Sequence, residues 1–380
     1  MALIEFQVPT NIICGADSLQ KLSEIACPNN EKVIMVCEKK YTETGITQKI
    51  KRLIEGYAYD IIIYEIPSNA STRELFEGVN IAKSSRTDVV IGIGGENVLS
   101  VAKCIAQFST QEVSRSENKG ARINVKKVRY IEVPTIQVVT WGIIPITYVI
   151  DETDMIRKPY SDKASYAEAL IIDPLITEDV PLSDLIYSSL EGISYSFDAY
   201  ISKKSTPVSD AMSLKAIEYL SVNLKRLTLE PANTKIKGNL SIGTMLASLA
   251  VYGSSPGLSA ACAMGLSSAS NISQQIGSGV VLPHVMEFNL TAAANKFIQI
   301  AMALGEKVAD ITVIEAAIMA IESIRRLMID LHISQHLTEY NIDQNIINKS
   351  SQISAEYDFL SFSPRPAGRS EIHEIFSAAL

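Results

Sequence analysis

Histidine is scarce in this 380-residue chain: there are four, and none precedes His284. A site built from imidazoles therefore cannot draw on residues 1–283. Tryptophan occurs once, as Trp141. The five cysteines, Cys14, Cys27, Cys37, Cys104 and Cys262, include no C-x-x-C pair and no zinc-knuckle spacing, which argues against a zinc ribbon or a dithiol redox centre. Their odd number and scatter point to reduced core thiols and to the cytoplasm. Basic charge is not in excess, because 34 Lys and Arg face 42 Asp and Glu for a net charge of −8. Nucleic acid and anionic membranes, which need concentrated basic charge, are not expected partners. A membrane-spanning apolar run is also missing. The most apolar stretch, Tyr130 to Ile150, carries Glu132, Pro134, Gln137 and Pro145 and reads as buried strand and loop. Met1 to Pro9 has no basic segment followed by an apolar one, so no signal peptide is expected.

What is present suits an ordinary globular protein, with 47% apolar and 20% charged residues over a length that fits two domains. Val33–Cys37, Ile61–Tyr64 and Val89–Ile93 are short apolar runs that read as strands buried on both faces. Glu43–Ile54 and Ser71–Ala82 have helical spacing between them, which predicts βαβ units and a mostly parallel sheet. Ser114–Lys127 is polar and basic and reads as a surface loop. After Pro181 only helical periodicity is found. Ser209 is placed to cap a helix with Leu214, Ile217, Leu220, Leu224 and Leu227 on one face. A second apolar face runs through Ile314, Ile318, Ile321, Ile324 and Met328. The expected organisation is an α/β dinucleotide-binding-like domain over 1–180 and an all-helical domain over 181–380.

Asp88 to Lys103 reads D-V-V-I-G-I-G-G-E-N-V-L-S-V-A-K. A strand, a glycine turn and a helix start can set a phosphate on backbone N–H groups, although the same pattern also makes a plain tight βα turn. This segment resembles the G-G-G-S-x-x-D-x-A-K motif of group III, iron-dependent alcohol dehydrogenases, with Gly94, Gly95, Glu96, Asn97, Ser100, Ala102 and Lys103 on the motif positions. Four other segments are similar to that family in order and at matching spacing: Phe6–Leu19, Ile171–Thr177, L-P-H-V-M-E-F-N at Leu282–Asn289, and Ser363–Phe376. Glu38 stands where the family has an acidic residue ending the second strand. The resemblance implies the dehydroquinate synthase-like, iron-dependent alcohol dehydrogenase fold and NAD(P)-linked oxidoreductase chemistry. It also implies a homodimer and a small-molecule ligand. The cofactor positions it implies are Glu38, Gly94, Gly95, Asn97, Ser100 and Thr135.

The departures fall on the chemistry. Glu96 replaces the third glycine, placing a carboxylate and a side chain where backbone would approach a pyrophosphate. At a helix N-terminus the same carboxylate can act as an internal anion. The family's second cofactor loop, P-T-T-x-G-T-x-S-E, corresponds to Pro134, Thr135, Ile136, Gln137, Val138, Val139, Thr140, Trp141 and Gly142. Trp141 is either a core residue or a filler of the vacated cleft, and either predicts poor dinucleotide binding.

The family binds one divalent ion through an Asp and three His residues. Its D-A-x-x-H-x-x-E-A-Y-x-S segment corresponds here to E-G-I-S-Y-S-F-D-A-Y-I-S, which puts Glu191 and Tyr195 on the first two ligand positions. Ungapped counting from Pro283-His284 puts the others on Ala260 and Gln274, and the family's further histidine on Met264. A Lewis-acid ion needs several converging N or O ligands, so iron or zinc is not expected, and no residue is assigned as catalytic. His332 and His336 have metal-ligand spacing on a helix, though a solvated or structural role is the simpler one. The expectation is a family homologue with degenerate sites and weak or lost ancestral activity. The alternatives are a pseudoenzyme scaffold or regulatory subunit, and a metal-free enzyme drawing on Glu96, Lys103, Lys158 (with Arg157 competing for its place), Glu191 or Tyr195.

Overall fold

Ile34 and Val36 enter one hydrophobic cluster, while Val33, Met35 and Cys37 of the same strand enter another. Burial on both faces is why this strand has no polar alternation. The computed structural model describes residues 4–113, 124–161, 165–177 and 180–380. The chain divides into two compact units: Gln7–Thr135 with Thr140–Thr177, and Met1–Phe6 with Ile136–Val139 and Glu178–Leu380.

The first unit contains β1 (Asn11–Cys14), α1 (Leu22–Ala26), β2 (Lys32–Glu38), α2 (Lys39–Glu43), α3 (Ile46–Ile54), β3 (Asp60–Ile66), α4 (Thr72–Ser85), β4 (Val89–Gly94) and α5 (Glu96–Ser109). It continues through β5 (Gln111–Val113), β6 (Asn124–Lys126), β7 (Arg129–Pro134), β8 (Ile146–Ile150), β9 (Arg157–Ser161) and β10 (Ala169–Ile172). Six strands form a parallel sheet in the order β1-β10-β7-β4-β2-β3. Leu75, Val79, Val101 and Ile105 of α4 and α5 cover one face, and Leu22, Ile50 and Ile54 of α1 and α3 cover the other. The chain goes outward from β2 to β3 and then returns to β4 on the other side of β2. That reversal opens a crevice at the carboxyl ends of β2 and β4, where ligands bind in open α/β sheets. Glu38 ends β2, and the Gly94-Gly95 turn follows β4.

Two expectations change here. β3 is an edge strand paired only with β2, so Ile61, Ile62 and Ile63 are half-buried and not enclosed on both faces. Of the polar stretch Ser114–Lys127, residues 114–123 lie outside the described residues, and Asn124–Lys126 pairs as a strand with Gln111–Val113. Of the five cysteines, four are buried free thiols and Cys14 is exposed.

The second unit carries α6 (Leu182–Ile201), α7 (Pro207–Leu229), α8 (Thr234–Tyr252), α9 (Leu258–Ala269), α10 (Gln274–Asn289), α11 (Ala294–Ala303), α12 (Val313–Asp330), α13 (Gln344–Ser354) and α14 (Arg369–Ala378). None of the described helices is long and apolar enough to cross a membrane. The cap of α7 is Thr206, and Ser209 is its reciprocal partner three residues in: Ser209 N–H donates to Thr206 Oγ1 at 3.2 Å and Thr206 N–H to Ser209 Oγ at 2.8 Å. The helix starts earlier than expected because Pro207 suits a first turn, where its missing N–H is not needed. On α12, Ile321, Ile324 and Met328 are buried, but Ile314 and Ile318 are 46% and 49% exposed. Ala316, Ala317 and Ala320 turn inward in their place, because small side chains let that end of the helix pack closely. His332 and His336 lie beyond α12 in irregular backbone, His332 with a left-handed φ of 57°. They are exposed and share no helix face.

Leu220 of α7 is the wedge among the long helices. A Cβ on Gly192 of α6 would stand 2.8 Å from Leu220 Cδ1, and one on Gly243 of α8 would stand 2.6 Å from Cδ2. Both glycines are needed for this approach. Leu220→Ala should cost about 2–5 kcal/mol through lost burial and a residual cavity. The check is a lower denaturation midpoint at an unchanged denaturant slope.

Candidate functional site

The glycine turn leads into α5 with Gly95 as N-cap and no side-chain cap. Glu96 is the first residue of the helix and is buried. Its Oε1 accepts a hydrogen bond from Trp141 Nε1 at 2.7 Å. Trp141 is buried, with its ring edge-on to Tyr148 at 5.2 Å. The two departures at Glu96 and Trp141 therefore meet. Asn97 is also engaged: its Nδ2 donates to the carbonyls of Ser68 at 2.9 Å and Ala70 at 2.8 Å, and its Oδ1 accepts from Arg157 Nη1 at 3.4 Å. Both amide protons are used, so none is left for a phosphate oxygen. Arg157 thus faces the glycine turn, whereas Lys158, next along β9, points outward to Asp151 and Asp154 at 2.8 Å each. Alternation along a strand makes the two mutually exclusive.

The other implied positions cluster around the same crevice. Glu38 is buried at the end of β2 and ion-pairs with Lys40 at 3.1 Å. Thr135 follows β7, and its N–H donates to the Gly94 carbonyl at 3.1 Å. Ser100 is buried on α5, and its hydroxyl has no hydrogen-bond partner among the described residues.

Under this loop lies a buried charged pair. Lys103 Nζ donates to the carbonyls of Trp141 at 2.7 Å, Ile144 at 2.5 Å and Ile146 at 3.5 Å. Burial pushes its pKa down, and the Glu132 carboxylate opposes that shift. Burial pushes the Glu132 carboxyl up, opposed by Lys103 and by the hydrogen bond from Tyr130. Glu132 also accepts from Thr140 Oγ1, and from Tyr130 at 3.1 Å. From the sequence, Lys103 reads as a motif position and a candidate of the metal-free alternative, while Glu132 serves only as an argument against a membrane span. A Cβ on Gly142 would collide with the Glu132 carboxylate. The family motif has its acidic residue at the position of Gly142, so here a carboxylate reaches this spot from β7.

In the helical unit, the sequence-aligned positions Glu191, Tyr195 and Gln274 meet, and all three are buried. Gln274 Nε2 donates to Glu191 Oε1 at 3.1 Å and to Tyr195 OH at 3.0 Å. A carboxylate only accepts, so the amide must turn its NH₂ toward Glu191. Ala260 and Met264 are buried on α9. The Ala260 N–H donates to Asp198 Oδ2 at 3.0 Å, and the Ser259 N–H donates to Oδ1 at 3.2 Å. A divalent ion does not fit these residues: it would meet one carboxylate and the hydrogens of an amide in place of converging lone pairs. Among the described residues, no group of three His, Cys, Asp or Glu is arranged to hold a metal. His284 is buried on α10, and its pKa is lowered by burial and by nearby Arg325.

A parallel α/β unit with a glycine turn at its switch point is followed in the chain by a helical unit, an architecture that is compatible with several chemistries. The model for the iron-containing alcohol dehydrogenase matches residues 9–174, and that for the C-terminal part of the Fe-containing alcohol dehydrogenase family matches 185–380. The chain belongs to the iron-containing alcohol dehydrogenase family. It is 23% identical to the 1,3-propanediol dehydrogenase of Citrobacter freundii, covering 99% of each chain. It is also 23% identical to the NAD-dependent methanol dehydrogenase of Bacillus methanolicus over all of both chains. A solved 1,3-propanediol oxidoreductase superposes with a TM-score of 0.90 at 21% identity, covering 100% of both chains, and shares the fold.

Two outcomes follow. Gly142→Ala should destabilise the protein by about 1–3 kcal/mol through overpacking. In Glu132→Ala the same substitution should cost much less, and a double-mutant cycle by chemical denaturation reads the coupling. Burial raises the Asp198 carboxyl to about 6 against backbone hydrogen bonds from Ala260 and Ser259 that lower it. A raised folded-state pKa favours the folded protein at low pH, and the advantage fades as pH rises through that value. Relative to Asp198→Asn, the wild type should therefore lose up to about 3 kcal/mol between roughly pH 4 and 6. A pH-independent difference in unfolding free energy between the two would show that Asp198 titrates normally.

Proposed function

We propose that this chain is an iron-containing alcohol dehydrogenase homologue in which metal-assisted hydride transfer is lost or very weak. The observation that carries this is the Gln274 amide hydrogen-bonded to both Glu191 and Tyr195. When bound, a divalent ion would polarise an alcohol or carbonyl oxygen. This arrangement directs N–H groups to where such an ion would need lone pairs. The chain then serves as a scaffold or regulatory homologue, expected as a cytoplasmic homodimer that keeps the family fold. A metal-free catalyst of another class is the weaker alternative, because Glu96, Lys103 and Lys158 are all engaged by neighbouring protein groups. The relatives are described as dehydrogenases of 1,3-propanediol and methanol, so those alcohols are the natural test substrates.

Elemental analysis of freshly purified protein should find iron and zinc well below one per chain. NAD(P)H-linked turnover of small alcohols and aldehydes should be absent or insensitive to chelator. Stoichiometric metal together with chelator-sensitive turnover would overturn the proposal.

A further inference from the structure

At the N-terminus of α5 the peptide N–H groups are not all satisfied within the helix, and their dipoles favour an anion. In this chain an anion is already there: Glu96, in the first turn and 5% exposed, hydrogen-bonded to the indole of Trp141. The indole does not reach Glu96 by chance of rotamer alone. Its own carbonyl and those of Ile144 and Ile146 are tied to the buried Lys103 ammonium, and Thr140 just before it is tied to Glu132. The backbone that carries Trp141 is therefore fixed from beneath, while its ring packs on Tyr148. Asn97, the next residue of the turn, spends both amide protons on the Ser68 and Ala70 carbonyls.

We infer that Glu96 and Trp141 form a built-in clasp that occupies the phosphate cradle and excludes the pyrophosphate of a dinucleotide. Charge and volume act together: Glu96 supplies the anion that the helix end attracts, and Trp141 covers it. The clasp concerns the cradle alone. It rests on membership of the family and not on the loss of the metal, so dinucleotide binding without metal would overturn the clasp and leave the proposed function standing.

Trp141 is the only tryptophan in the chain, so intrinsic fluorescence reports the clasp without a label. In the full-length wild type, titration with inorganic pyrophosphate and with NAD⁺ should leave the emission maximum unchanged, and calorimetry should detect no saturable NADH binding up to about millimolar concentration. Glu96→Gln keeps the side-chain volume and removes the charge, and should improve pyrophosphate affinity with a shift in Trp141 emission. Glu96→Gly with Trp141→Ser restores the motif residues, and should tighten NADH binding by about tenfold or more over wild type. Circular dichroism and the thermal midpoint establish that each variant is folded, and Glu96→Gln carries the test if the double variant is not. Micromolar NADH binding by the wild type would overturn the inference. So would folded variants that bind pyrophosphate and NADH no better than the wild type.

Discussion

A buried ammonium governs this structure's most unusual region. Lys103 lies inside the α/β unit with three backbone carbonyls and the Glu132 carboxylate as its surroundings. Removing either charge alone would leave the other in a medium that cannot solvate it. The segment from Thr140 to Pro145, which lies outside regular secondary structure, is consequently held in part by these electrostatic contacts. Its course decides where Trp141 stands, why residue 142 is glycine, and what occupies the start of α5.

The helical unit shows a parallel exchange of one kind of order for another. Positions that the family devotes to metal ligands carry a carboxylate, a phenol and an amide, joined by two hydrogen bonds from one nitrogen. Such a network links a carboxylate, a phenol and an amide that are all buried in the helical unit. Nearby, Asp198 caps the start of α9 through backbone N–H groups of Ser259 and Ala260. Close packing of α6 with α7 and α8 depends on the absence of side chains at Gly192 and Gly243. The packing scaffold is therefore kept while the groups it would present are different.

The strands were legible because double burial leaves an unbroken apolar run, as in Val33–Cys37 and Val89–Ile93. The same rule failed on Ile61–Ile63, since a run of isoleucines does not say whether its strand is central or at the edge. Helical periodicity found α7 and α12 but misjudged their ends. Thr206 and Ser209 can each cap in isolation, and an alanine-rich turn can outcompete Ile314 and Ile318 for the interior. For the crevice, sequence order placed Glu38, Gly94, Gly95 and Thr135 near one another. It could not decide between Arg157 and Lys158, because one residue of slip along a strand reverses the face.

Sequence alone determined the family, the strand–helix alternation through Val33–Ile93, the helical second half, and the residues missing from both chemical motifs, since these depend on residue identity and local spacing. Only the tertiary structure decided that the replacements engage one another: Trp141 with Glu96 across 45 residues, and Gln274 with Glu191 across 83. Partners so distant in the chain leave no periodic trace, because a hydrogen bond between them depends on how the backbone returns and not on what lies beside either residue.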